Sequence, residues 1–120
     1  MQLLNFCASK LLQEVEVQAL QSQQKIAQTQ AEINVKKRDA RLNQLTSSEI
    51  TSLPKDNPVY EGVGKMFVAV PIGDMKKKLA NEETALKKDV GELEKRLHYQ
   101  ETTFKNSRAH IEKILQSGGR

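Results

Sequence analysis

The 120-residue chain contains no tryptophan, and its aromatic side chains number five: Phe6, Tyr60, Phe67, Tyr99 and Phe104. Compact cores lean on large aromatic rings for buried area, and here only 38% of residues are hydrophobic. That argues against a packed sandwich, barrel or doubly wound domain, and the length allows one domain at most. The single cysteine, Cys7, cannot form an internal disulfide, so nothing requires an oxidising compartment. It has no CxxC partner or metal-ligand spacing and reads as a bystander. No apolar run approaches the roughly 20 residues of a membrane-spanning helix. The opening MQLLNFCASKLL lacks a basic leader and a sustained apolar stretch, so it does not read as a secretory signal. The expected location is the cytoplasm, with the nucleus as a second compartment.

Glycine and proline are also unevenly missing. Neither occurs from Lys10 to Leu53, and residues 75 to 117 hold only Gly91. Pro54, Pro58, Gly62, Gly64, Pro71 and Gly73 crowd into the stretch between. These residues punctuate regular structure. The pattern predicts one mainly α domain over residues 1–120: a first helix over about 10–53, a β-hairpin over about 58–71, and a second helix over about 74–117. At 1.5 Å per residue each helix would be about 60–65 Å long. Nearly equal lengths suit a long antiparallel two-helix coiled coil.

The second helix carries a clear heptad seam. One series is Leu79, Leu86, Leu93, Gln100, Ser107, Ile114; the other is Glu83, Val90, Leu97, Phe104, Ile111. Alternating steps of three and four place both on one face. Outside it, Glu83/Lys87, Glu92/Arg96 and Glu101/Lys105 stand at the i,i+4 spacing that favours ion pairing. The first helix is weaker. Leu12, Ala19, Ile26, Ile33, Ala40 form one series and Val15, Ser22, Thr29, Lys36, Asn43 the other. Past Ile33 the apolar positions Val35, Leu42 and Leu45 offer an alternative register.

The connector, Asp56 to Asp74, reads DNPVYEGVGKMFVAVPIGD. Val59–Val63 and Met66–Val70 are short β-rich runs around Gly64-Lys65, and glycine suits the positive φ of a tight turn. Met66, Val68 and Val70 point one way, Phe67 and Ala69 the other, so both faces are apolar. That pattern belongs to a strand covered on both sides. Two strands cannot cover themselves, and open edges invite pairing. Other subunits are therefore expected to complete the sheet, through Val59, Tyr60, Val63, Met66, Phe67, Val68 and Val70. Asp74 can cap the second helix.

Leu45-Thr46-Ser47-Ser48-Glu49-Ile50, near the end of the first helix, and Tyr60-Glu61-Gly62-Val63-Gly64-Lys65-Met66-Phe67, between the two helices, resemble the prefoldin family. The closer likeness is to eukaryotic β-type subunits with one hairpin. It covers about residues 10–116 and includes Leu93-Glu94-Lys95 and Asn106-Ser107. The resemblance implies a hetero-hexamer in which this chain joins two α-type and three further β-type subunits. Their hairpins would build a double β-barrel platform from which six coiled coils hang. It implies an ATP-independent co-chaperone that holds unfolded actin and tubulin and delivers them to the cytosolic chaperonin.

The residues themselves offer no catalytic constellation. Gly62-Val63-Gly64-Lys65 is followed by Met66 rather than the hydroxyl of a P-loop, and Phe67 stands where a GxGxxG loop needs glycine. His98 and His110 are twelve apart and do not share helical metal spacing. No nucleophile pairs with a base and an orienting group. No enzyme, cofactor or metal is expected. Net charge is +4, all of it in residues 75–120, where 11 Lys and Arg face 7 Asp and Glu. Lys76-Lys77-Lys78 could be a solvated run or could meet an acidic partner. A nucleic-acid stripe would need interleaved aromatics, so neither nucleic acid nor membrane is an expected partner. At the open end of a helical hairpin, Leu11, Leu12 and Val15 would lie near Ile111, Ile114 and Leu115. They are candidates either for ordinary seam packing or for a multivalent client grip. The alternative reading of the whole chain is a structural coiled-coil tether without client binding, which would not need a two-faced apolar hairpin.

Overall fold

In a computed structural model, which describes residues 2–54 and 56–118, the element order is α1 (Gln2–Ser52), β1 (Val59–Val63), β2 (Met66–Val70) and α2 (Ile72–Gly118). The first helix starts at Gln2, earlier than the expected position near residue 10, because nothing between Gln2 and Lys10 breaks a helix. The second starts at Ile72 rather than near Asp74. Its first turn is closed by the Met75 amide donating to the Pro71 carbonyl at 3.1 Å. Pro71 thus holds the capping position, and Asp74 lies inside the first turn, where the helix dipole favours a carboxylate.

The described residues form two compact units. One is Asn34–Glu92, containing the hairpin with the helix segments beside it; the other is Met1–Ile33 with Leu93–Arg120.

The expected seam of α2 is found. Leu79 and Leu93 are buried, and Glu83, Leu86, Val90, Leu97, Gln100, Phe104, Ser107, Ile111 and Ile114 are half-buried. In α1 the register does not move after Ile33. Val35, Leu42 and Leu45 are exposed, while the original series continues without a break through Lys36, Ala40, Asn43, Ser47 and Ile50, all buried or half-buried. A valine and two leucines thus lose the seam to a lysine, an alanine and an asparagine. Three polar residues of the α1 seam find partners on α2. Thr29 donates to Gln100 Oε1 at 2.7 Å in one unit. In the other, Asn43 Nδ2 donates to the Leu79 carbonyl at 2.8 Å, and Lys36 Nζ lies 3.5 Å from Asp89. A buried amide left without a partner costs about 1–3 kcal/mol, so these bonds fix which residues face each other.

Of the three surface i,i+4 pairs expected on α2, Glu83–Lys87 forms, at 3.4 Å. Among the described residues Glu92/Arg96 and Glu101/Lys105 do not. Glu83 also accepts from Gln44 Nε2 of α1 at 3.1 Å. That hydrogen bond, followed by the Lys87 charge, lowers the Glu83 pKa below its ordinary value.

Two outcomes test this seam. Ile33, only 1% exposed, should cost about 2–5 kcal/mol when replaced by alanine. Leu42→Ala should cost under about 0.5 kcal/mol. Urea unfolding of the two variants reads the difference, and a large loss at Leu42 would mean that the seam had shifted. The Glu83 contribution should be present above the ordinary glutamate range and lost as pH falls through the lowered folded-state value. In NMR titration Gln44→Ala should move the Glu83 midpoint upward; an unmoved midpoint contradicts the assignment.

Candidate functional site

The hairpin is where the chain exposes apolar surface most densely. β1 and β2 pair antiparallel in the register Val59↔Val70, Tyr60↔Ala69, Glu61↔Val68, Gly62↔Phe67 and Val63↔Met66. The loop is the two residues Gly64 and Lys65. Gly64 has φ of 61°, and no non-glycine residue among those described has positive φ. Positive φ at the first loop position alone is the type II′ arrangement, whose twist matches that of the strands and whose first position calls for glycine.

Directly paired residues share a face, so the register sorts the side chains. One face carries Val59, Glu61, Val63, Met66, Val68 and Val70. The other carries Tyr60, Gly62, Phe67 and Ala69. Gly62 lies under the ring of its partner: a Cβ there would stand 3.8 Å from Phe67 Cε1.

Only the base of the first face is covered. Val59 and Val70, with Ile72, pack against the buried cluster Ile50, Met75 and Leu79. Ile50 ends the α1 seam and Leu79 opens the α2 seam, so the same small core joins helices and sheet. Farther out, Val63, Met66 and Val68 are exposed, as are Tyr60 and Phe67 on the second face; Met66 is 70% and Phe67 77% exposed. Of the seven residues expected to meet other subunits, two anchor the hairpin to its own helices and five stand open.

One charge interrupts the first face. Glu61 is half-buried and forms an ion pair with Lys78 of α2. All three lysines of the Lys76-Lys77-Lys78 run are exposed, and the last also ties helix to hairpin. Sequence reasoning missed this pair. A lone carboxylate inside an otherwise apolar strand, shortly before a lysine run, was the available signal.

The expected terminal cluster divides in a different way. Val15 is buried and Leu12, Ile111 and Ile114 are half-buried on the seam, whereas Leu11 and Leu115 are exposed. Leu3 and Phe6, not singled out from sequence, are more exposed than either. Cys7, His98 and His110 are exposed. Among the described residues no group of three or more His, Cys, Asp or Glu could hold a metal ion, and no helix is long and apolar enough to cross a membrane.

Comparison with known proteins agrees with this architecture. The family profile described as "Prefoldin subunit" matches residues 13–118. The chain is 30% identical over 80 residues to a probable prefoldin subunit 1 of Schizosaccharomyces pombe, covering 67% of this chain and 71% of that protein. It is 30% identical over 74 residues to prefoldin subunit 1 of Danio rerio, covering 62% of this chain and 61% of that one. Among solved structures it is similar to the prefoldin beta subunit of Thermococcus strain KS-1, with TM-score 0.80, 22% identity, and coverage of 88% of this chain and 92% of the other. The beta2 subunit from the same strain gives TM-score 0.68 at 15% identity, over 76% of this chain and 97% of that one. With the matched profile spanning most of its length, and with two heptad helices joined by a single apolar hairpin, the chain belongs to the prefoldin subunit family.

Proposed function

We propose that the chain is one β-type subunit of a hetero-hexameric, ATP-independent co-chaperone that holds unfolded proteins such as actin and tubulin and delivers them to the cytosolic chaperonin. The observation that carries this reading is the hairpin, apolar on both faces and covered by its own chain only at the base. Full burial of a side chain such as Met66, Phe67 or Val68 is worth about 1.5–3 kcal/mol. Two strands alone are marginal in water, so strands from neighbouring subunits supply the missing cover and pair the open edges. Five partners complete the assembly, two α-type and three β-type.

Client holding is assigned to the ends of the helices in the unit without the hairpin. Leu11 and Leu115 are open there. Leu12, Val15, Ile111 and Ile114 become available as the last turns fray, since terminal turns lack hydrogen-bond partners. Weak contacts repeated on several subunits act at high effective concentration.

One experiment on three forms of the chain separates the two roles. Co-expressed with its partner subunits, the wild-type chain should give a hexamer by native mass spectrometry and suppress aggregation of unfolded actin. Phe67→Glu, and separately Val68→Glu on the opposite face, should leave the chain outside any hexamer. Deleting residues 1–16 and 110–120 should keep the hexamer and abolish holding. A hexamer containing Phe67→Glu would contradict the assembly surface, and holding by the truncated form would contradict the terminal grip. A self-contained dimer in place of a hexamer would favour a plain tether.

A further inference from the structure

The unit built from Met1–Ile33 and Leu93–Arg120 contains a cleft that the assembly reading does not use. It holds about 250 Å³ and is lined by Ser22 and Lys25 from α1 and by Arg96, Tyr99, Gln100 and Thr103 from α2. That is below the about 300–1,000 Å³ of small-molecule and cofactor sites, so an occupant would set only one or two side chains into it.

Its chemistry is one-sided. Two cations line it and no carboxylate does. Lys25 and Arg96 make no ion pair among the described residues, and Glu92, which the i,i+4 spacing offered to Arg96, does not take it. On the α1 side there is no Asp or Glu from Val17 to Ala31; on α2, Glu92, Glu94 and Glu101 stand close in sequence, but none of them lines the cleft. Gln100 already accepts the Thr29 hydroxyl through Oε1 at 2.7 Å, so its Nε2 donors are what it can offer a ligand. Thr103 donates to the Tyr99 carbonyl at 2.9 Å. The Tyr99 ring, 72% exposed, supplies a flat apolar wall beside the methylene stems of Lys25 and Arg96.

We propose that this cleft binds an acidic peptide segment in which a carboxylate side chain neighbours an aliphatic one. The carboxylate takes charge-assisted hydrogen bonds from Arg96 and Lys25, the stronger class of such bonds. The aliphatic neighbour lies on the Tyr99 ring. Charge complementarity selects this occupant over a basic or neutral peptide. None of the six lining residues belongs to the hairpin or to the terminal cluster, so the site goes beyond the function proposed above.

The test is anisotropy of a fluorescein-labelled octapeptide of alternating glutamate and leucine, titrated with the full chain. Binding should be measurable and should weaken as salt rises. Lys25→Glu with Arg96→Glu should reduce affinity at least tenfold. Lys105→Glu with Lys113→Glu, an equal change in net charge outside the cleft, should change it less than twofold. A glutamine–leucine peptide should bind at least tenfold more weakly than the acidic one. Unchanged affinity in the cleft variant, an equal loss in the control variant, or equal binding of the glutamine peptide would each overturn the proposal. A readout independent of the charge reversals uses Tyr60→Phe. This leaves Tyr99 as the sole tyrosine of a tryptophan-free chain, and the unlabelled acidic peptide should alter its emission. Unaltered emission at saturating peptide would also overturn the assignment.

Discussion

A two-stranded sheet has two faces and two edges, and this chain covers only the base of one face. Val59 and Val70 rest on Ile50, Met75 and Leu79; beyond them Tyr60, Val63, Met66, Phe67 and Val68 meet solvent. Exposing such a surface is unfavourable in water, and every other local choice is consistent with its being covered from outside. The type II′ turn at Gly64 keeps the hairpin tight. Phe67 lies over Gly62 and so presents a broad ring on the second face. Glu61, the one charge on the first face, is paired with Lys78, which offsets part of the cost of burying a carboxylate there. The same core that holds the hairpin ends the α1 seam and opens the α2 seam.

The helices meet a different constraint. In α1, Ser22, Thr29, Lys36 and Asn43 occupy the inner series where apolar residues would pack better. Polar residues at such positions cost stability and specify register. Thr29–Gln100 and Asn43–Leu79 show how: each bond is made by residues more than 30 positions apart and would be lost by a slip of either helix. The Glu83–Gln44 bond adds a third cross-helix tie.

Much of this could be read from residues alone. The α2 seam was clear because leucines repeat at sevens with Val90 and Leu97 between them. The hairpin register followed from glycine at the turn and from two apolar faces. The α1 seam past Ile33 was not legible. Val35, Leu42 and Leu45 outrank Lys36, Ala40 and Asn43 by hydrophobicity, and only the partners across the seam, the Leu79 carbonyl and Asp89, decide the contest. The start of α2 was set by Pro71, whose carbonyl closes the first turn, rather than by the more familiar capping residue Asp74. At the site, the five exposed members of the expected interface were identifiable as apolar strand positions. That Val59 and Val70 serve as anchors depends on Ile50 and Met75, which lie outside the hairpin in sequence. The Glu61–Lys78 pair likewise joins residues from different elements.

The central claim is that the hairpin is completed by strands from other chains. Amide hydrogen exchange across residues 59–70 tests it directly when measured for the isolated chain and for the chain within its purified assembly. Cover by neighbouring strands predicts slow exchange throughout the hairpin in the assembly and fast exchange in the isolated chain, with α1 and α2 near Ile50 and Leu79 changing much less. Equal exchange of the hairpin amides in the two states would contradict the account.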